Sequence, residues 1–168
     1  MKRKSKKKNV KKENKRRDYV QVVDYYNKLI NKEKYVGKRP ITLRSSYEIR
    51  FVKRFLDPSE DVVEWSSEDV VIPYKYTVDD KTHRYFVDFW FKHRNGKEFL
   101  IEIKPYTFTQ QPKVPKRKTQ AYLRRCMEYE KNQNKWDAAV EYCRNVTERT
   151  GKSLEFKILT ENELGYKK

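Results

Sequence analysis

Asp88, Glu102 and Lys104 stand inside the most apolar stretch of the chain, "YFVDFWFKHRNGKEFLIEIKP" (85–105). Two carboxylates and an ammonium are the minimal parts for phosphodiester hydrolysis at a divalent cation. Carboxylate oxygens suit a hard ion such as Mg²⁺, whose other positions go to water and substrate phosphate. Such an ion lowers the pKa of a bound water and polarises the phosphoryl group. A lysine two residues after the second acid projects to the same side of a strand. It can steady the attacking oxygen or the charge gathering on the phosphate. The plainer reading is a cross-strand charge cluster on a solvated face, which contributes little to stability.

The register of the hairpin bears on that choice. "RNGK" separates two apolar runs, 85–93 and 97–104, and Asn-Gly favours a tight turn. A two-residue loop Asn95-Gly96 would set Asp88 against Ile103 and Glu102 against Phe89, a polar residue beside an apolar one in every pair. A three-residue loop Arg94-Asn95-Gly96, with Gly96 left-handed, shifts the pairing by one. His93 then opposes Lys97, Phe91 opposes Phe99, Phe89 opposes Ile101 and Val87 opposes Ile103, one clean apolar face. The other face carries Lys92/Glu98, Trp90/Leu100, Asp88/Glu102 and Phe86/Lys104. Pattern selects this register, and it predicts two like charges directly opposed, which destabilises a sheet unless a cation lies between them. Two further acids are candidates. Glu48 is the fourth residue of "SSYE", a capping box with Ser45 as N-cap, and it also points partly toward the sheet. Glu68, in "EWSSEDVVIPY", is placed at the start of a strand, where a solvated acid is equally expected.

The elements that must position these residues follow from periodicity. "RDYVQVVDYYNKLINKEKYV" (17–36) has helical spacing of its apolar residues, ended by "GKRP". "SSYEIRFVKRFLDP" (45–58) reads as a second helix stopped at Asp57-Pro58. "DVVIPYKY" (69–76) reads as a strand, with Pro73 marking an edge or bulge. Residues 118–151 read as helix, interrupted near Asn132–Asn134 and closed by Gly151. "LEFKILT" (154–160) is a last strand, and "ENELGY" a short turn or helix. This order predicts an α/β (α+β) domain around a small mixed sheet flanked by helices.

The formal net charge is +17 over 168 residues. The first 17 residues hold 11 Lys/Arg against Glu13, a net of +10, so +7 remains for the rest. A run of like charge without apolar period does not fold alone. We read 1–17 as a basic arm, either solubilising or neutralising phosphates through counterion release. Residues 18–41 form a helix and linker, and 42–168 the main domain. Two separated cysteines imply neither a disulfide framework nor a zinc cluster. No apolar run approaches the about 18 residues of a membrane span. His83 is read as a loop residue, and the aromatics Trp65, Trp136 and Tyr74 as core or interface residues. Arg44, Arg84 and the basic loop Lys113, Lys116, Arg117 and Lys118 are candidates for contacting phosphate, the loop being equally readable as a solvated surface.

A helical glutamate, then Asp, then Glu-x-Lys on a hairpin resembles the PD-(D/E)xK, restriction-endonuclease-like nucleases. The blocks "TLRSSYEIRFVKRFLD", "VVEWSSEDVVIPY", "HRYFVDFWFKHRNGKEFLIEIKP", "TQQPKVP", "NKWDAAVEYC" and "LEFKILTENELG" together resemble the head-completion nucleases of T-even-type tailed phages, in the TnsA-like branch. The resemblance runs from about 42 to 166. It implies Asp88 and Glu102 as metal ligands, Lys104 as catalytic lysine, and Glu48 as an additional acid. Glu68 matches a W-x-S-E block and Gln110 a T-Q-x-P block near the DNA. It further implies Mg²⁺, with Mn²⁺ as substitute, and double-stranded DNA as substrate. The phage portal and a second head-completion protein are the implied partners. The implied place is the virion neck, or the bacterial cytoplasm during assembly. A basic segment 1–41 is more than the family leads one to expect. A non-cutting head-completion protein that binds DNA, and a transposition or repair endonuclease, are the two alternatives.

Overall fold

The computed structural model describes residues 24–165. The proposed arm 1–17, and the first part of the helix expected over 17–36, lie outside the described residues. Strands β1 (Val62–Ser67), β4 (Phe89–His93), β5 (Glu98–Ile103) and β6 (Leu154–Leu159) form one sheet in the order β1-β4-β5-β6. β4 is antiparallel to both β1 and β5, and β6 runs parallel to β5, so the sheet is mixed as expected. Strands β2 (Val71–Tyr76) and β3 (Lys81–Phe86) pair as a second, two-stranded sheet.

The hairpin forms in the bulged register. His93 pairs with Lys97, and Gly96 has φ of 85°, the left-handed conformation that glycine adopts at little cost. Phe91 faces Phe99, Phe89 faces Ile101 and Trp90 faces Leu100. The expected single strand 85–93, however, breaks at Val87-Asp88. Here the chain passes from pairing with β2 to pairing with β1. Three residues (68–70) on the other arm oppose two (87–88), so the ribbon carries a bulge. Glu68 sits in it with φ of 56° and donates its backbone N–H to the Asp88 carbonyl. Glu68 therefore follows a strand that the sequence reading missed, β1, rather than opening one. A second irregularity between Val62 and Glu64 had broken the alternation of β1. The bend also moves Val87 to the opposite side from Ile103, so those two do not share a face as the pattern predicted. His83 is likewise a β3 residue, bonded to Asp79 at 2.8 Å, and not a loop residue.

Both faces of the main sheet are covered. On one, Phe89, Ile101 and Ile103 pack with Trp65 and with α1 (Ser46–Phe51), whose π-helical continuation spans Val52–Leu56. On the other, Leu100 and Leu154 pack with Tyr85, Val87 and the long helix α3 (Gln120–Thr150). The face with Asp88 and Glu102 is thus not a solvated one. α3 is continuous, not interrupted near Asn132–Asn134. Those asparagines find tertiary roles: Asn132 is buried, and Asn134 Oδ1 accepts bonds from the Thr77 backbone and hydroxyl. Gly151 is left-handed after the last turn of α3, as read, and Thr119, which the sequence reading did not single out, caps the first.

The expected helix over 17–36 does not form within its described part. Residues 24–36 instead make two 3₁₀ turns, Tyr25–Lys28 and Lys32–Lys34, and Tyr35 bridges to Trp65. Tertiary contacts override the helical spacing. Tyr25, Leu29, Tyr35 and Ile41 join the same core as the sheet, so residues 25–41 pack as part of the domain. Buried Asp57, at the end of the π turn, accepts the backbone N–H groups of Ile30 and Asn31 at 2.8 Å each. Asp57→Ala should leave both donors without partners in a half-buried place. The expected cost is about 3 kcal/mol, or about 10 °C in Tm. Thermal unfolding followed by circular dichroism checks this, and an unchanged Tm rules it out.

Candidate active site

The bend between β3 and β4 aims Asp88 at β5. Its Oδ2 accepts the backbone N–H of Ile103 at 2.7 Å, just beyond the last β4–β5 pair, Phe89–Ile101. Asp88 and Glu102 are therefore not a ladder pair, as the extended register implied. Asp88 takes the place of the missing partner strand. Glu102 is 4 % exposed, and its Oε2 accepts the Tyr85 hydroxyl at 2.7 Å. Lys104 Nζ stands 3.7 Å from Glu102 Oε1. The backbone of Lys104 is fixed by a bond to the Leu159 carbonyl on the β6 side.

Ser45 caps α1 as read, and the Glu48 carboxylate turns back to it, onto the Arg44 N–H and not the Ser45 N–H of a full capping box. Ser45 Oγ accepts the Glu48 N–H. The Glu48 carboxylate accepts Ser45 Oγ at 2.6 Å and the Arg44 N–H at 2.8 Å. Its charge is felt by both Asp88 and Glu102. Burial is the main cause raising the Asp88 carboxyl well above the usual carboxylate range, and the neighbouring Glu102 charge adds to it. Burial also raises Glu102, opposed by Lys104, the Tyr85 hydroxyl and Lys135. The two acids resist carrying charge together, which is the electrostatic setting a cation relieves.

The donor set fits a hard divalent ion. Among the described residues, Asp88 Oδ1 accepts no hydrogen bond, and Glu102 Oε1 meets only Lys104. Each acid is oriented by a hydrogen bond to one oxygen, while the other oxygen accepts none among the described residues. No group of three or more His, Cys, Asp or Glu is gathered at metal-binding distance among the described residues. A pair of carboxylates is what the fold prepares, and Mg²⁺ is commonly held by one or two with water and phosphate oxygens.

Lys104 and Glu48 line a cleft of about 430 Å³ with Arg44, Phe108 and Glu128. Beyond the short helix α2 (Tyr106–Thr109) lies a wider one of about 680 Å³, lined by Tyr106, Gln110, Lys113, Tyr122 and Arg125. Gln110 and Lys113 thus line this second cleft and not the one that holds Lys104 and Glu48. Lys116, Arg117 and Lys118 are exposed on the loop before α3 and line neither cleft. Arg44 contacts Glu68, which ties the α1 entry to the bulge. Arg84 is not brought in. It lies over the Phe86 ring at 4.9 Å, on the face of β3 opposite Tyr85.

Sequence reasoning missed Tyr85, Lys135 and Glu128. Tyr85 was assigned to the same strand as Asp88, and only the bend turns its hydroxyl to Glu102. Lys135 lies on α3 with its ammonium 5.0 Å from the Tyr85 ring centre. Nothing in a lysine-rich helix singles it out locally. The core reading of Trp65, Trp136 and Tyr74 agrees with their burial.

Comparison with known proteins places this geometry in a family. The model of the family described as "TnsA-like endonuclease N terminal" matches residues 59–161, the segment holding all six strands, α3, Asp88, Glu102 and Lys104. A protein described as "Head completion nuclease", from Enterobacteria phage T4, is 40% identical over 139 residues. The match covers 80% of this chain and 88% of that protein. No solved structure matches the chain. No described helix is long and apolar enough to cross a membrane. From these matches, the chain belongs to the TnsA-like endonuclease N-terminal family.

Proposed function

We propose that the protein is a divalent-metal-dependent DNA endonuclease acting in phage head completion. The observation that carries the chemistry is the oriented acid pair. Asp88 and Glu102 are each held by a hydrogen bond to one oxygen, and Lys104 at the cleft stands 3.7 Å from the other oxygen of Glu102. The biological setting rests on the relative named "Head completion nuclease". On this reading the chain works at the portal end of a filled head, beside a second head-completion protein, and its place is the virion neck.

In this PD-(D/E)xK arrangement, Asp88 and Glu102 would hold Mg²⁺ or Mn²⁺. When bound, that ion supplies an activated water and a Lewis acid for the phosphodiester. The chain's own groups do the rest. Tyr85 fixes the Glu102 carboxylate, and the Ile103 N–H fixes Asp88. Lys104 orients the attacking oxygen or neutralises the pentacovalent phosphate. Glu48 adds negative charge at the cleft wall and favours a cation there. Gln110 and Lys113 line the path of the DNA strand leaving the site, and Glu68 supports Arg44 from behind. The loop cations Lys116, Arg117 and Lys118 hold backbone phosphates farther out without reading sequence.

The direct test incubates purified protein with linear and supercoiled duplex DNA in Mg²⁺, Mn²⁺ or EDTA. Cutting in either metal and none in EDTA is expected. Tight, salt-sensitive binding without cutting in any metal, even with isolated filled heads, overturns the enzymatic reading in favour of a non-cutting DNA-binding protein.

A further inference from the structure

Lys135 is a half-buried cation of α3. No carboxylate lies within ion-pair distance of it among the described residues. It reaches over Tyr85, whose hydroxyl bonds Glu102, and is electrostatically coupled to Glu102, Asp88 and Lys104. One turn earlier Lys131 adds a like charge, which a helix does not favour at this spacing.

The position on α3 is informative. Arg125, Glu128, Asn132 and Lys135 follow one another at intervals of three and four, a single stripe of the helix. Arg125 lines the wide cleft, Glu128 the narrower one, and Lys135 faces the acid pair. Within the stripe, Asn132 is 3 % exposed, and its amide nitrogen has no hydrogen-bond partner among the described residues. Buried donors are rarely left unmatched. Once a divalent ion offsets Asp88 and Glu102, the ammonium groups of Lys104, 3.7 Å from Glu102, and of Lys135, over Tyr85, are left for another partner. An anion is the complement of that arrangement.

We propose that Lys135 is a phosphate-binding residue of α3, receiving a backbone phosphate of the DNA strand that lies over Asp88 and Glu102. The helix stripe from Arg125 to Lys135 is then the second wall of the DNA path, facing the wall made by Lys104 and α1. This rests on the nuclease reading for its substrate but not for its test.

The experiment measures binding of a labelled short duplex by fluorescence anisotropy across a salt series, in Ca²⁺ to occupy the carboxylate pair in place of Mg²⁺ and, in parallel, in EDTA. It compares wild type with Lys135→Gln, Lys135→Met and Lys135→Arg. Losing one phosphate contact should make the slope of log Kd against log salt shallower by about 0.9 in the Gln and Met variants. Affinity should fall several-fold at moderate salt, and Arg should restore both. Met keeps the aliphatic stem over Tyr85, so it separates charge from cover. Slope and affinity equal to wild type in Met overturn the proposal and make Lys135 a lid on Tyr85. Wild-type binding that is lysine-dependent, with no cutting in any metal, leaves this proposal standing while the nuclease reading fails. Cutting with an unchanged salt slope in Met does the reverse.

Discussion

Lys104→Ala should lower DNA cleavage in Mg²⁺ by about a hundredfold to a thousandfold while leaving the fold and DNA binding largely intact. That magnitude is typical for removing one preorganised donor to developing negative charge. The side chain is partly exposed at the cleft, so its loss opens no core cavity. The residue is bound to β6 through its backbone, which alanine keeps. Loss of the ammonium also removes the nearest cation from Glu102 and makes that carboxyl harder to ionise. Cleavage by the variant should therefore recover partly at higher pH. Single-turnover rates across pH check this. Activity within threefold or so of wild type would show that the lysine is a surface charge and not part of the chemistry.

Asp88→Asn should abolish cleavage and, in the presence of chelator, make the protein more stable at neutral pH. The first effect, about a thousandfold or more, follows from removing one of two metal-holding carboxylates. The second follows from the raised Asp88 carboxyl. A folded carboxyl raised above its unfolded value of about 3.9 binds its proton more tightly in the native state. The unfolded state then holds fewer protons, so stability falls as pH rises through the interval above about pH 4, until the folded carboxyl has ionised. Asparagine has no charge to bury, and its side-chain oxygen can still accept the Ile103 N–H. Its Tm in EDTA should exceed that of wild type by about 3 °C or more at pH 7. The difference should shrink toward pH 4, and adding Mg²⁺ should raise the Tm of wild type alone. A variant no more stable than wild type at pH 7 would mean that the acid pair is already compensated without a cation.

Much of the hairpin was legible in the sequence because its determinants are local. Alternation of Phe, Trp, Leu and Ile with polar residues chose between two registers, and the chosen one placed Phe91 opposite Phe99 and Gly96 in the left-handed region. The Ser45 cap of α1 and the Gly151 stop were equally readable, since each is settled by bonds within a few residues. Glu102 and Lys104 fall on one side of a single strand by period alone. The resemblance to head-completion nucleases could be stated on ordered blocks of residues.

What only tertiary structure decided was how those local pieces bend and meet. The pattern had no means of showing that 85–93 changes partner at Asp88. That switch depends on β1 and on the extra residue at Glu68. It turned an expected cross-strand pair into a carboxylate that bonds the Ile103 N–H, and it brought Tyr85 onto Glu102. The helical spacing of 24–36 gave way to two short turns because burial of Tyr25 and Tyr35 and the two bonds to Asp57 outweigh helix propensity. Lys135 is 33 residues beyond Glu102 in a helix crowded with charge. Its place beside the acids is fixed by the docking of α3 on the sheet. Sequence determined which groups could do chemistry and which strand carries two of them. Their burial, orientation and company were set by contacts between distant segments, which no local period encodes.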